Sequence, residues 1–134
     1  MEIISFLLTV LPVTLYFAVQ EGGPAHATWG KRRAGLVVVG MDGRPVRFGR
    51  ALLRSAVKFL PWQLAHTSLL HIPGWPFEPT EPGPMVVAGL IAAQGLVLVY
   101  VGTMLFTPSH RTPYDWVAGT QVTDALPPID APPP

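Results

Sequence analysis

Long apolar runs alternate with polar stretches along this chain. The first run, 3–20, carries no charged residue and has Pro12 near its middle. The clearest run, 85–106, has Gln94 and Thr103 as its only strongly polar side chains. A helix rises about 1.5 Å per residue, so such a segment matches the roughly 30 Å hydrocarbon core of a bilayer. Both runs therefore predict transmembrane helices.

The first run also has some features of a secretory signal peptide. Ala25, His26 and Ala27 follow the small-x-small pattern of a cleavage site. However, the positively charged amino-terminal region typical of such peptides is missing, and Glu2 stands in its place. We therefore expect the segment 3–20 to be retained as a membrane span.

A third apolar segment, 55–72, is interrupted by polar residues. Arg54 and Lys58 stand at its beginning, where their long side chains can reach the membrane interface. The stretch from Phe59 to Ile72 is short for a crossing helix. The segment either crosses the membrane with the two cations at its beginning or lies partly in the interface. We favour a crossing, and hence about three transmembrane or membrane-associated helices.

The distribution of charge predicts an orientation. Residues 21–58 hold eight of the nine basic residues and two acidic ones, whereas residues 73–84 hold two acidic residues and no basic one. Positively charged loops are typically cytoplasmic. The sequence therefore predicts a multi-pass protein of a bacterial-type inner membrane, with residues 21–54 and the carboxyl terminus in the cytoplasm.

The composition agrees with a membrane protein and offers little chemistry. Charged residues make up 13% of the 134 residues, about half the usual share of a soluble protein, which is about 25%. There is no cysteine, and His66 and His71 are too far apart around a helix to ligate one metal ion. No nucleophile motif or phosphate-binding loop is evident. We expect no catalytic residue, no metal site, no cofactor and no enzymatic activity.

The basic stretch also contains a candidate β-hairpin. Residues 36–39 are a β-branched run, Asp42 and Gly43 are a strong turn signal, and Val46 follows in a second short candidate strand. An isolated hairpin is only marginally stable. We expect a third strand, 120–123, to pair with this small cytoplasmic hairpin.

Four basic residues after the hairpin are spaced three, four and four positions apart, which places them on one face of a helix. The pattern is typical of a basic amphipathic helix on a membrane surface, although such charges are also ordinary topology signals. No stacking aromatic residues interleave with the cations, so we expect no nucleic-acid partner. The predicted contacts with anionic lipid headgroups are Arg47, Arg50, Arg54 and Lys58.

The end of the chain contains a short helix and a proline-rich tail. Thr112 and Pro113 are typical of a helix start, Asp115 complements the positive end of the helix, and Gly119 is a typical stop. The segment 124–134 is rich in proline and predicts a disordered tail.

The span 85–106 contains small residues at spacings of four, three and seven. Such a stripe lets another helix approach closely, although small residues are common in membrane helices generally. The stripe predicts packing against other membrane protein subunits or self-association. Its members are Ala88, Ala92, Gly95 and Gly102.

Two stretches, 28–54 and 114–122, resemble the RDD family of membrane proteins. The resemblance implies an RDD-like membrane domain over 1–123. No segment of the sequence resembles the family's first helix, which bears the arginine and first aspartate of its name, so the resemblance implies a short form. The matching motif positions are Gly30, Lys31, Arg54, Asp115, Gly119 and Thr120.

Two functions are compatible with these features. The stripe and the proline-rich tail favour a small accessory or scaffolding subunit that packs against other membrane proteins. The resemblance implies transport as the alternative, because some RDD proteins are implicated in moving ions. An oligomeric transport component would line a shared cavity with Gln63, His66 and Gln94.

Overall fold

The computed structural model describes residues 2–125. It is mostly helical, with one small antiparallel sheet. The predicted tail begins at Asp124, which ends the last strand, and continues outside the described residues. The elements in chain order are α1 (Glu2–Gly22), α2 (Trp29–Arg33), β1 (Leu36–Gly40), α3 (Phe48–Lys58), α4 (Leu60–Leu70), α5 (Pro84–Phe106), α6 (Pro113–Ala118) and β2 (Thr120–Asp124).

The first predicted span forms helix α1. It is 21 residues long and contains a π-helical turn at Phe6–Val10, where the Leu11 amide donates to the Phe6 carbonyl. This wider turn lies directly before Pro12, which has no amide hydrogen to continue the regular pattern. The helix therefore accommodates the proline and continues to Gly22.

The segment 55–72, which was predicted to cross or to lie partly in the interface, is divided between two helices. The chain leaves helical geometry at Phe59, and α4 begins at Leu60. Pro61 has no amide to donate to the Val57 carbonyl one turn earlier. The Tyr100 hydroxyl of α5 donates to that carbonyl instead, at 2.7 Å. The break is thus stabilised by a neighbouring helix.

The kinked pair α3–α4 runs alongside α1 from one end to the other. Arg54 pairs with Glu21 near the end of α1. At the other end, the His71 Nδ1 atom lies 3.3 Å from a Glu2 carboxylate oxygen. We call the end that contains Glu21 the charged end and the end that contains Glu2 the opposite end. The two polypeptide segments are therefore antiparallel.

Helix α5 packs antiparallel to α4. Gly89 lies against Ser68 near the opposite end, and a Cβ atom at Gly89 would collide with the Ser68 hydroxyl. Tyr100 reaches Val57 near the charged end. The close approach of the two helices at Gly89 follows from the missing side chain. After α5 the chain is back at the charged end, where α6 and the sheet lie.

The sheet differs from the predicted hairpin. β1 pairs antiparallel with β2, and Val38 lies opposite Val122. The third strand was therefore predicted correctly, but Pro45 and Val46 do not form a strand. Only a single bridge joins Val39 to Pro45. Pro45 cannot donate a ladder hydrogen bond, so pairing ends there.

The surface of the helices is apolar. Ile91 and Leu98 on α5 are 67% and 64% exposed, and large side chains of α1 are exposed as well. Two helices among the described residues, Glu2–Gly22 and Pro84–Phe106, are long and apolar enough to cross a membrane. The small buried apolar cluster of Val38, Val46 and Ala51 lies instead between the sheet and α3.

Candidate functional site

A buried arginine organises the charged end of the molecule. Arg54, on α3, is 2% exposed. Its Nε atom donates to Asp115 Oδ1 at 2.8 Å, and its Nη1 atom donates to Glu21 Oε2. Glu21 and Asp115 are also buried. The three side chains join α1, α3 and α6.

Asp115 is held by the start of its own helix. Its Oδ2 atom accepts hydrogen bonds from the Thr112 hydroxyl at 2.7 Å and from the Thr112 amide at 3.3 Å, which forms a capping box. The Thr120 hydroxyl donates to Asp115 Oδ1 at 3.0 Å. The predicted helix start is therefore correct, and the same carboxylate also binds Arg54.

Glu21 was missed by the sequence analysis, which placed it at the beginning of the basic stretch. The structure extends α1 to Gly22 and buries Glu21 completely. The Lys31 Nζ atom donates to its Oε1 oxygen at 2.7 Å. No sequence signal points to this contact, because the spacing of the cations does not reveal that Arg54 is buried. We call Glu21, Lys31, Arg54 and Asp115 the charge cluster.

Mutual pairing stabilises the charged forms of Arg54 and Asp115. Burial alone would disfavour a charged Arg54, but the adjacent carboxylates of Glu21 and Asp115 offset that cost. Burial would likewise raise the pKa of Asp115, yet Arg54 and the Thr112 hydrogen bonds hold it below its usual range. The ion pair of Arg54 and Asp115 therefore joins α3 to α6.

A comparison with protein families identifies the chain's relatives. The model of the RDD family matches residues 1–119. The chain belongs to the RDD family. No curated protein and no solved structure matches the chain. Family membership and the two apolar helices together make it a membrane protein.

The motif positions of this RDD protein gather at the charged end. Lys31, Arg54 and Asp115 belong to the charge cluster, and Thr120 binds Asp115. Gly119 ends α6 with a positive φ of 62°, a conformation that favours glycine. Gly30 is the remaining motif position and lies in the short helix α2, with open space around it.

The four cations that were predicted to contact lipid headgroups lie in different environments. Arg54 is wrong as a headgroup contact, because it is buried between two carboxylates. Arg50 donates to the carbonyls of Ala118 and Gly119 at 3.1 and 3.2 Å, which caps the end of α6. Arg47 precedes α3 and is exposed. The basic helix was predicted correctly, but half of its cations have partners in the protein.

Lys58 is half-buried at the end of α3 and packs on aromatic rings. Among the described residues it forms no ion pair with a carboxylate. Its ammonium lies 3.7 Å from the centre of the Phe17 ring and 6.0 Å from that of Tyr114. The contacts of this cation are therefore aromatic faces and not a carboxylate.

Half of the small-residue stripe, Gly95 and Gly102, lies on a face of α5 that α4 does not cover. The buried residues Val86 and Ala93 pack towards α4. Ala88 comes two positions after Val86, and Gly95 comes two positions after Ala93. Two positions correspond to about 200° around the helix, so Ala88 and Gly95 point away from the side that Val86 and Ala93 occupy. A Cβ atom at Gly95 or at Gly102 would meet no atom within 4 Å. Ala92, like Ala88, lies at the edge of a cleft with α4.

The polar residues of the transport alternative are not assembled into one site. The Gln63 amide donates to Thr67, and the His66 ring stacks on Trp62 at 5.3 Å. Gln94 lines a shallow cleft between α4 and α5. None of these contacts joins one of the three to another. Within residues 2–125, no group of three or more acidic, histidine or cysteine side chains could hold a metal ion.

Proposed function

We propose that this RDD protein is a non-enzymatic accessory or scaffolding subunit that packs against other membrane proteins. The observation that carries this proposal is the uncovered half of the stripe on α5. A glycine in a lipid-facing helix contributes little to contact with lipid, whereas it allows the backbone of another helix to approach closely. Gly95 and Gly102 have open space in front of them in the isolated chain.

The proposal includes a three-pass arrangement. The kinked segment α3–α4 contacts both ends of α1 through the Arg54–Glu21 and His71–Glu2 pairs. Because α1 is long enough to cross a bilayer, a segment that accompanies it along its whole length crosses as well. The Tyr100 hydroxyl satisfies the Val57 carbonyl that the break leaves without a helical partner.

We propose that the charged end faces the cytoplasm of a bacterial-type inner membrane. Eight of nine basic residues lie in 21–58, and positively charged segments are retained on the cytoplasmic side. The carboxyl-terminal strand β2 pairs with β1 and so lies on the same side. A protease added outside intact cells should not cleave near Arg44, which is exposed. Cleavage there would overturn this orientation.

The accessory role is tested by purification in mild detergent at native expression. The protein is expected to migrate with larger membrane proteins. Gly95→Leu adds bulk in the stripe and is expected to abolish this co-migration. Val87→Leu adds bulk at another exposed position of α5 outside the stripe and is the matched control.

The outcomes separate the two functions. Loss of assembly in Gly95→Leu but not in Val87→Leu supports packing through the stripe. Normal assembly of Gly95→Leu contradicts it. A homo-oligomer that migrates alone and dissipates a pH gradient in liposomes would instead support the transport alternative.

A further inference from the structure

A cleft opens at the charged end where α4, α5 and α6 meet. Its walls are almost wholly apolar. It continues along α4 and α5 into a second shallow cleft, which shares Pro61, Trp62 and Val97 with the first. The lining side chains include Phe59 and Trp62 from the α3–α4 segment and Val101 and Met104 from α5. The two clefts form one groove, which we call the α4–α5 groove.

Apart from Gln94 in the second cleft, the polar groups lie at one end of the groove. Lys58 lines its beginning, beside Thr112 and Tyr114. The Thr112 hydroxyl is already bound to Asp115. Lys58 has no carboxylate partner among residues 2–125, and an ammonium offers three donors. A positive charge with unused donors therefore lies at the mouth of an apolar groove.

We propose that the α4–α5 groove binds one anionic phospholipid, with its phosphate on Lys58 and an acyl chain along Trp62 and Val97. Charge complementarity selects this occupant, because a cation at the charged end of a membrane helix lies at the depth of lipid headgroups. An apolar helix of a partner would offer the ammonium donors of Lys58 no acceptor. The proposal is independent of the accessory role.

The length of the groove fits one leaflet. Leu90 and Met104 bound its α5 wall. At a rise of about 1.5 Å per residue, this stretch of helix is about 21 Å long. Half of a roughly 30 Å hydrocarbon core is about 15 Å. The groove is therefore long enough to hold an acyl chain from the headgroup region to the middle of the membrane.

The position of Trp62 provides a direct probe. Trp29, Trp75 and Trp116 are 60%, 40% and 47% exposed, so their replacement by phenylalanine leaves Trp62 as the single tryptophan with little effect on packing. This variant is reconstituted into phosphatidylcholine vesicles that contain either brominated phosphatidylglycerol or brominated phosphatidylcholine. Bromine atoms on the acyl chains quench nearby tryptophan fluorescence. We expect an apparent preference of about five-fold for the anionic lipid.

Two substitutions examine the two parts of the site. Lys58→Gln removes the cation and is expected to abolish the preference for phosphatidylglycerol. Arg47→Gln removes an exposed cation from the beginning of the same helix and is the matched control, with the preference retained. Val97→Phe narrows the groove at a position that is 41% exposed and is expected to reduce quenching by both lipids. Circular dichroism and thermal unfolding establish that each variant is folded.

Several results would overturn the proposal. Equal quenching by the two brominated lipids would exclude a site for anionic lipid at Trp62. An equal loss of preference in Arg47→Gln and Lys58→Gln would show general attraction to the basic surface instead of a defined site. Unchanged quenching in a folded Val97→Phe variant would mean that the acyl chain does not occupy the groove. If the tryptophan variant binds neither lipid, native mass spectrometry of the full chain with phosphatidylglycerol must still show a Lys58-dependent adduct.

Discussion

The Arg54 Nε atom lies 2.8 Å from Asp115 Oδ1, and this ion pair joins residues 61 positions apart in the sequence. Both side chains are almost fully buried. The same guanidinium also binds Glu21, so one side chain connects three helices. A lysine offers only a point charge in place of this planar fork, so it would not reproduce both contacts. The charge cluster therefore attaches the sheet and α6 to the membrane helices.

Asp115→Asn is expected to destabilise the protein strongly. The substitution leaves Arg54 buried with only the Glu21 carboxylate to balance it and weakens the capping box of Thr112. Breaking a buried pair by removing one partner typically costs about 3–5 kcal/mol. Thermal unfolding of the detergent-solubilised protein measures the loss. Asp42→Asn is the control, because Asp42 is exposed. Its ion pair with Arg44 is long, with 3.9 Å between the Asp42 Oδ2 and Arg44 Nε atoms.

The pH dependence of unfolding tests whether the negative charge of Asp115 is what stabilises the folded protein. The pKa of Asp115 is lowered in the folded protein, so its contribution to stability is present above its ordinary pKa and lost as the pH falls below it. The wild type should therefore lose stability in acid more steeply than Asp115→Asn does. Parallel curves for the two proteins would show that the ionised form of Asp115 is not what stabilises the fold.

The membrane helices could be predicted from the sequence because their signal is local. The runs 3–20 and 85–106 contain enough apolar residues to define each helix without any partner. The capped start of α6 is local as well, since Thr112 and Asp115 are three residues apart. These elements match the structure to within a few residues.

The remaining features depend on contacts between distant residues. β1 pairs with β2, which begins 80 positions after the end of β1, at Thr120. The sequence analysis expected this pairing, but the local turn signal at Asp42 and Gly43 also predicted a strand at Pro45 and Val46, which does not form. The burial of Arg54 follows from Glu21 and Asp115, which lie on two other helices. A spacing of three and four positions indicates that cations share a helix face, but it does not reveal what covers that face.

Gly89→Ala is expected to destabilise the contact between α4 and α5. The added methyl group would collide with the Ser68 hydroxyl, which itself donates to the Leu64 carbonyl of α4. Overpacking of this kind typically costs about 1–3 kcal/mol. Ser68→Ala removes the colliding oxygen, so the double variant should recover part of the lost stability. Gly95→Ala is the control, because a Cβ atom there meets nothing within 4 Å.

Tyr100→Phe is expected to destabilise the break between α3 and α4. The Tyr100 hydroxyl donates to the Val57 carbonyl, which has no helical donor because Pro61 lacks an amide hydrogen. The loss of one hydrogen bond to this part-buried carbonyl costs about 1 kcal/mol. In a Pro61→Ala background, the new amide can bind Val57 itself, so the same Tyr100→Phe substitution should cost less. A double-mutant cycle measured by thermal unfolding gives the difference. Equal costs in the two backgrounds would show that the hydroxyl does not substitute for the missing amide.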